Sequence, residues 1–228
     1  MRTLSLALTT LLGMLASTAR AGDAKPNDAT LGQAAPPGAV VLFDGEDLEG
    51  WVKVDGKTPA DWPLEDGLMI VGNGSIMTER KFDDFQLHLE FNVPYMPKAK
   101  GQARGNSGVY LTGNYELQVL DSYGLKPQDE DCGAIYKQVA PKVNACKPPL
   151  QWQTYDVTFH KAQVEEGKAV KKARVTVLQN GVKIIDDAVI SPTPGGTGVD
   201  EGEDGPLMLQ DHGNPVQYRN IWIKPLDD

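Results

Sequence analysis

Apolar and polar residues alternate with a period of two along most of this chain. Short runs of this kind recur from residue 40 to residue 225, separated by Gly, Pro, Asn and Asp. Clear examples are VVLF (40–43), FQLHLEFNV (85–93), WQTYDVTFH (152–160), ARVTVLQNG (173–181) and NIWIKP (220–225). No run has the 3.6-residue period of an amphipathic helix of useful length, and no internal repeat is visible. The pattern therefore predicts an all-β sandwich or barrel.

The turn at residues 113–114 decides which side chains share a face of the sheet. A two-residue loop there would place Leu111 beside Glu116. A three-residue loop over residues 113–115 would instead place Thr112 opposite Glu116 and separate apolar from polar positions. Because a slip of one residue turns a whole strand over, we predict the three-residue loop.

That register gives the hairpin one apolar and one polar face. The apolar face holds Val109, Leu111, Leu117 and Val119, and the polar face holds Asn106, Tyr110, Glu116 and Gln118. The run at 206–212 places Gln210 and His212 in one phase as well. Amides and carboxylates bind hydroxyl groups, and aromatic rings stack on the C–H faces of sugars. The polar face is therefore suited to a carbohydrate.

Composition and charge exclude several classes of function. The 228 residues include 22 Lys and Arg against 31 Asp and Glu, a formal charge of −9. An acidic chain without a long basic run is poorly suited to nucleic acid or to an anionic membrane surface. The three histidines do not form an HExxH motif. The sequence requires no cofactor, and it does not determine an oligomeric state.

The N-terminus has the pattern of an export signal. Arg2 precedes an apolar stretch over residues 4–16, and Ala19-Arg20-Ala21 is a small-x-small cleavage site. We therefore expect a signal peptide over residues 1–21, a flexible lead-in over 22–38 and a single domain over 39–228. The apolar stretch is short for a membrane span, so the expected location is secreted or periplasmic, without a membrane anchor.

Export changes the interpretation of the two cysteines. Cys132 and Cys146 lie in a turn-rich segment, 14 positions apart. In an oxidising compartment a disulfide is the expected fate of such a pair. A metal pair or a reactive thiol is the alternative, although no histidine lies nearby in sequence.

Several segments together resemble a known family. They are VVLFDGEDLEGW (40–51), RGNSGVYL (104–111), YELQVLDS (115–122), CGAIY (132–136), WQTYDV (152–157) and GPLMLQDHGNPVQYRNIWIKPL (205–226). The chain is similar here to the 3-keto-disaccharide hydrolase family, also described as the 3-keto-glucoside 1,2-lyase/3-keto-2-hydroxy-glucal hydratase domain. The resemblance runs from about residue 40 to residue 226. It implies a concanavalin A-like jelly-roll β-sandwich of two antiparallel sheets.

The same resemblance implies cleavage of a glycosidic bond in a sugar that is already oxidised at C3. The ketone acidifies the C2 proton, so a base can remove it, the aglycone can leave from C1 and water can add to the new double bond. Such a site needs a base near C2 and an acid for the leaving group. Glu116 and His212 are the candidates for these roles. Their alternative roles are an exposed strand carboxylate and a turn-stabilising histidine.

The remaining candidates are substrate-binding residues. Asn106, Gln118 and Gln210 could hold hydroxyls or the ketone, or could bond to each other across strands. Arg219 could polarise the enediolate oxygen or form a structural ion pair.

Three further residues belong to this group. Tyr110 lies on the polar face. Tyr136 could stack on a sugar or belong to the core, and Asp121 could bind substrate or cap a turn.

Other functions stay open at the level of sequence. A retaining glycosidase needs two carboxylates about 5–5.5 Å apart. The E-x-D-x-E strand of laminarinase-type enzymes is replaced here by Glu116-Leu117-Gln118-Val119-Leu120, which argues against that mechanism. The acidic loop over residues 198–205 offers oxygen ligands for Ca²⁺ but lacks the EF-hand spacing, so a divalent metal is unsupported. A non-catalytic carbohydrate-binding module and a substrate-capturing subunit are the alternatives to an enzyme.

Overall fold

The computed structural model describes residues 25–226, which contain fifteen strands and one short 3₁₀ turn, Gly101–Ala103. The first eight strands are β1 Val40–Phe43, β2 Trp51–Lys53, β3 Leu64–Glu65, β4 Leu68–Ile70, β5 Ile76–Phe82, β6 Phe85–Asn92, β7 Ser107–Leu111 and β8 Tyr115–Val119. The others are β9 Gln153–His160, β10 Gln163–Glu165, β11 Lys168–Lys171, β12 Arg174–Gln179, β13 Val182–Val189, β14 Gly205–Leu209 and β15 Gln217–Pro225. No helix in this range has the length and apolarity needed to cross a bilayer.

The strands form two antiparallel sheets and a separate hairpin. The large sheet has eight strands in the order β13-β12-β9-β6-β15-β4-β3, with β1 also paired to β15. The small sheet has five strands in the order β2-β5-β14-β7-β8, and β10 pairs with β11 alone. Non-consecutive strands lie side by side in both sheets, as in a jelly roll. The prediction of an all-β sandwich with jelly-roll architecture is confirmed.

The core lies between the two sheets and is filled by alternate residues of their strands. Phe85, Leu87 and Leu89 of β6 are at most 1% exposed, and Val109 and Leu117 of the small sheet are fully buried against the same core. Each such side chain contributes about 1.5–3 kcal/mol by leaving water. The apolar face predicted for the β7–β8 hairpin is therefore the core face of the small sheet.

The β7–β8 hairpin has a different register from the predicted one. Tyr110 pairs with Glu116 and Leu111 pairs with Tyr115, so the three-residue loop runs from Thr112 to Asn114. Thr112 adopts a left-handed backbone with φ of 46°, and so does the glycine after it, which turns the chain one residue earlier than expected. The pairing is shifted by two positions. Since side chains repeat every two residues, the shift leaves both faces unchanged.

A flexible lead-in was predicted over residues 22–38, but the structure packs the described part, residues 25–38, against the outer face of the large sheet. The amide of Gly32 donates to Glu90 Oε1 at 2.5 Å, and Asn220 Nδ2 donates to the carbonyl of Gln33 at 3.0 Å. Thr30 and Thr154 share a hydroxyl hydrogen bond of 2.8 Å. This segment is called the N-terminal strap below. The predicted signal peptide, residues 1–21, lies outside the described residues.

The two cysteines are free thiols in this structure, so the predicted disulfide is not confirmed. Both are buried, and Gln179 Nε2 lies 3.4 Å from each sulfur. Tyr155 Oη lies 3.1 Å from Cys132 Sγ and donates to the carbonyl of Gln118 at 2.7 Å. The thiols are thus held in one cluster behind strand β8.

Candidate active site

A row of directly paired residues crosses the small sheet on the face opposite the core. The pairs are Val52 with Met77, Met77 with Met208, Met208 with Tyr110, and Tyr110 with Glu116. Directly paired residues of neighbouring antiparallel strands point to the same side of a sheet. Glu116 therefore ends a row that runs from β2 to β8.

Glu116 is a buried carboxyl group in direct contact with a phenol. It is 3% exposed, and Tyr110 Oη donates to its Oε2 at 2.9 Å. Burial raises the pKa of Glu116 to about 7, although the hydrogen bond from Tyr110 acts in the opposite direction. A carboxyl group that titrates near neutrality can accept and return a proton at physiological pH.

The space for this carboxylate is provided by a glycine on the neighbouring strand. A Cβ added to Gly108 would lie 2.7 Å from Glu116 Oε1 and 3.2 Å from Gln210 Oε1. Gln210 also donates from Nε2 to Tyr110 Oη at 3.3 Å. Tyr110, Glu116 and Gln210 therefore converge over the bare backbone of Gly108.

Asn106 and Gln118 form the second half of the polar face, together with a residue that the sequence did not reveal. Asn106 Nδ2 donates to the carbonyl of Gln102 at 2.7 Å and to its Oε1 at 3.1 Å. Gln118 Nε2 donates to the same Oε1 at 3.0 Å. Gln102 lies in the 3₁₀ turn, where no period-two pattern gives a side chain a phase, so no signal pointed to it.

Three amide oxygens on this face are buried and accept no hydrogen bond from the described residues. They are Asn106 Oδ1, Gln118 Oε1 and Gln210 Oε1. Buried polar atoms in folded proteins are nearly always paired, so each of these oxygens needs a donor. Hydroxyl groups are donors of the required kind, and a ligand must displace the covering atoms to reach these oxygens, because each is shielded from solvent.

A loop covers the site from above. Residues 192–198, called the cover loop below, connect β13 to the acidic segment before β14. The carbonyl of Pro194 accepts from Tyr110 Oη at 3.1 Å, and the hydroxyl of Thr193 accepts from the amide of Glu116 at 3.0 Å. The pattern of alternating residues carried no information on this loop, because a Pro- and Gly-rich segment outside the strands has no period-two phase.

Tyr136 lies at the edge of the same site. Its amide donates to the carbonyl of Glu116 at 3.0 Å, and its side chain is half-buried. Lys137 Nζ lies 5.3 Å from the centre of its ring. The tyrosine is placed where an aromatic wall could border a bound ring.

Arg219 was predicted to bind substrate, but the structure places it on the other sheet. It belongs to β15 and points to the outer face of the large sheet, where its Nε donates to Glu90 Oε2 at 2.7 Å. Its guanidinium lies 4.0 Å from the centre of the Trp152 ring. The core separates it from Glu116, so of its two proposed roles the structural ion pair is the observed one.

Asp121 and His212 also lie outside the cluster around Glu116. Asp121 Oδ2 lies 3.1 Å from Arg104 Nε, and Asp121 Oδ1 accepts from the amide of Tyr123 at 3.3 Å. These contacts correspond to the turn-capping alternative. His212 is exposed in the turn after β14, and it makes no hydrogen bond or ion pair within residues 25–226. Its assignment as an acid stays a prediction.

The acidic loop shows no ligand set for a metal in the described part of the chain. Glu201 accepts from Tyr115 Oη at 3.2 Å, and Asp204 pairs with Lys161 at 2.6 Å. Within residues 25–226, no group of three or more His, Cys, Asp or Glu side chains is arranged to hold a metal ion.

Comparison with known proteins finds relatives over most of the chain. Residues 38–224 match the family model described as 3-keto-alpha-glucoside-1,2-lyase-like domain. A 3-keto-disaccharide hydrolase of Bacteroides thetaiotaomicron is 25% identical over 242 residues, which cover 83% of this chain and 79% of the relative.

Two crystal structures from Parabacteroides distasonis share the fold. Both carry the provisional name glycosyl hydrolase. The first is 40% identical with a TM-score of 0.77, and the match covers 85% of this chain and 86% of the other. The second is 23% identical with a TM-score of 0.62, and covers 83% of this chain and 94% of the other.

Proposed function

We propose that this chain, which belongs to the 3-keto-alpha-glucoside-1,2-lyase-like domain family, cleaves 3-keto-glycosides by elimination followed by hydration. The observation that carries the proposal is the environment of Glu116. A carboxyl group with a pKa near 7 lies beside three buried amide oxygens that need hydroxyl donors. The reaction requires a base beside the bound sugar, and the amide oxygens are placed to hold hydroxyl groups next to that base.

In this reaction Glu116 is the base. Its ionised carboxylate takes the C2 proton, which the C3 ketone acidifies, and the electron pair forms an enediolate. Collapse of the enediolate breaks the C1–O bond and expels the aglycone oxygen, which takes a proton. Water then adds across the C1–C2 double bond, with its oxygen at C1 and a proton at C2. The net change is hydrolysis, without a second carboxylate nucleophile.

The surrounding residues orient the ring. Gln118, Gln210 and Asn106 accept hydroxyl protons through their free amide oxygens, and Tyr136 borders the ring at the edge of the site. Correct placement of the C2 proton relative to Glu116 matters, because a misplacement of about 1 Å can reduce the rate a hundredfold.

The test is turnover of a 3-keto-β-glucoside and of 3-keto-trehalose in deuterated water, followed by NMR. An enzyme incorporates deuterium at C2 and releases the 3-keto-sugar. Replacing Glu116 with Gln should reduce turnover by about 10²–10⁴-fold, the range for a general base, while binding is largely kept. Glu65→Gln, which alters an exposed strand carboxylate of β3, is the matched control and should act like the wild type.

A carbohydrate-binding module on the same face is the second candidate, because the three free amide oxygens would also accept hydroxyls from an unmodified glycan. Such a protein would bind glucosides and leave them intact. If the protein binds glucosides but neither exchanges the C2 proton of any 3-keto-glycoside nor cleaves it, the carbohydrate-binding module is the correct function.

His212 is proposed as the acid that protonates the leaving group, because it lies exposed outside the cluster around Glu116 but only two residues beyond Gln210 of the site. An aryl oxygen leaves without a proton more readily than an alkyl oxygen, so His212→Ala should slow an alkyl 3-keto-glycoside far more than an aryl one. His160→Ala, which removes a half-buried histidine paired with Asp84, is the control. If His212→Ala slows the alkyl and the aryl 3-keto-glycoside equally, His212 is not the acid for the leaving group.

Export and maturation are also proposed. The segment before the strap has the charge, apolar stretch and cleavage site of a signal peptide. N-terminal sequencing of the protein recovered outside the cytoplasm should begin at Gly22. Recovery of full-length chain from the cytoplasm alone would contradict this.

A further inference from the structure

The hydroxyl of Tyr110 joins the candidate base to the loop that covers it. Its oxygen lies 2.9 Å from Glu116 Oε2, 3.1 Å from the carbonyl of Pro194 and 3.3 Å from Gln210 Nε2. Gln210 donates to the phenol oxygen, whereas Glu116 and Pro194 both accept. A phenol has one proton, so it can serve only one of these two acceptors well at a time.

The middle of the cover loop depends on that proton. The loop is held near its two ends, where the amides of Thr193 and Thr197 donate to the backbone of the β7–β8 turn at 2.8 Å each. Between them, the bond from Tyr110 to Pro194 is the only hydrogen bond that Pro194, Gly195 and Gly196 make with the described residues. The Gly195 backbone also lies directly above the phenol, since a Cβ there would be 2.9 Å from Tyr110 Oη.

We propose that Tyr110 is a positioning residue that transmits the protonation state of Glu116 to the cover loop. When Glu116 is ionised, the phenolic proton is drawn to the carboxylate, because a charge-assisted hydrogen bond is about twice as strong as a neutral one. The carbonyl of Pro194 is then left without its donor. When Glu116 is protonated, the phenol turns its proton to Pro194 and the loop is held closed.

The groups around Glu116 allow this carboxyl to control the switch. Glu116 interacts with two tyrosines, Tyr110 on β7 and Tyr218 on β15 of the opposite sheet, and Tyr136 on the edge segment acts on Tyr110. Burial and the charge of Glu116 raise the pKa of Tyr110 far above its usual value, so the phenol keeps its proton. No Lys, Arg or His within residues 25–226 forms an ion pair with Glu116, and Lys137 Nζ lies 5.3 Å from the centre of the Tyr136 ring.

The cover loop should open and close in step with the protonation of Glu116 during the reaction. The carboxylate is ionised when substrate enters, so the loop is loose. Removal of the C2 proton by Glu116 closes the loop over the unsaturated intermediate, and return of the proton releases it before product leaves. The role in turnover rests on the proposed function, whereas the response of the loop to pH does not.

Hydrogen exchange of the cover loop, followed by mass spectrometry and corrected for intrinsic rates, tests the proposal without substrate. Between about pH 5.5 and pH 8.5 the wild-type loop should lose about fivefold in protection, the factor expected for one net hydrogen bond. Tyr110→Phe should abolish the pH step. In Glu116→Gln the cover loop should stay protected from exchange at both pH values. This variant gives a second test if Tyr110→Phe folds poorly.

Tyr115→Phe is the matched control. Tyr115 Oη bonds to Glu201 in the acidic segment that follows the loop, at 3.2 Å, but does not contact Glu116. This variant should loosen the region equally at all pH values and keep the step. A step that persists in Tyr110→Phe, or that is missing in the wild type, overturns the proposal.

A kinetic measurement separates this role from a purely structural one. The hydrogen bond from Tyr110 lowers the pKa of Glu116, so Tyr110→Phe should shift the acidic limb of the kcat/KM profile to higher pH. If Tyr110 only supported the fold, its replacement would lower kcat/KM without shifting the acidic limb of the pH profile. A protein whose loop responds to pH but that cleaves no 3-keto-glycoside would retain the switch and lose the proposed function.

Discussion

The carboxylate of Glu116 lies against the bare backbone of Gly108 on the neighbouring strand. A Cβ added to Gly108 would lie 2.7 Å from Glu116 Oε1, which is too short for an ordinary contact. The φ angle of Gly108 is not in the left-handed region. The glycine therefore serves here to leave room for the side chain across the strand, not to allow an unusual backbone conformation.

Gly108→Ala should therefore impair the site while the fold is kept. The new methyl group must push the Glu116 carboxylate away, and we expect kcat to fall by about 10–100-fold because the base is misplaced. Gly72→Ala is the matched control, since its Cβ would lie 3.0 Å from Trp62 and from Pro63, away from the site. Steady-state kinetics and thermal unfolding would distinguish them, and equal kcat values would contradict the role of Gly108.

Glu116→Gln should make the protein more stable at alkaline pH. The pKa of this carboxyl rises from 4.5 to about 7 on folding, so the folded state resists ionisation. The wild type therefore loses stability as pH rises from 4.5 to 7, by about 3 kcal/mol in total. The Glu116→Gln variant has no ionisable group at this position, so it does not lose this stability.

Urea unfolding provides the measurement. The variant should exceed the wild type at about pH 8 and equal it at about pH 4. The Glu65→Gln control should show no such difference. An advantage that is the same at both pH values would show that burial does not shift the titration of Glu116.

Cys132 and Cys146 should form a disulfide when the protein is oxidised. Both sulfurs lie 3.4 Å from Gln179 Nε2, so they share one buried cluster. Closing this loop of about 15 residues should stabilise the protein by about 3 kcal/mol in the chain-entropy model.

Thiol alkylation with mass spectrometry, before and after treatment with a thiol–disulfide oxidoreductase, measures the bond. The oxidised protein should resist alkylation and unfold at higher urea concentration. Cys146→Ser should abolish both effects. Two thiols that stay free in the oxidised, folded protein would exclude the disulfide.

Glu90→Gln should detach the N-terminal strap. Burial alone would raise the pKa of Glu90, but contacts from His88, Asn220, Arg219 and Gly32 lower it to about 2. This carboxylate therefore stabilises the fold above pH 4.5, and the contribution is lost as pH falls towards 2. Removing the charge should cost about 3 kcal/mol near neutral pH, the lower end for a broken buried ion pair.

Limited proteolysis within residues 25–38 and urea unfolding would measure the effect. The variant should be cut faster in the strap than the wild type, and the difference in stability should shrink below pH 4.5. A strap that resists proteolysis equally in both proteins would show that Glu90 does not hold it.

The sequence could predict the fold class and the faces of the β7–β8 hairpin, because both follow from local alternation. Side chains on a strand point to opposite sides in turn, so Tyr110, Glu116 and Gln118 share a face in any register that keeps charge out of the core. The register itself could not be predicted. A shift of two positions leaves the same residues inside. The left-handed conformation of Thr112 places the turn one residue earlier, so that Glu116 pairs with Tyr110 and not with Thr112.

The composition of the site depended on contacts between distant parts of the chain. Arg219 and Glu116 both belong to segments that resemble the family, yet the two sheets carry them to opposite outer faces. Gln102 and Pro194 lie in loops without periodicity, and only the fold brings them to Gln118 and to Tyr110.

The alternation in the amino-acid sequence by itself indicated an all-β sandwich or barrel with a polar sheet face, because successive side chains of a strand point to opposite sides. The tertiary structure decided which residues meet Glu116, how deeply the carboxyl is buried and what covers it. Those properties depend on the order of strands in the sheet and on loop packing over separations of up to about 100 residues, which local patterns do not encode.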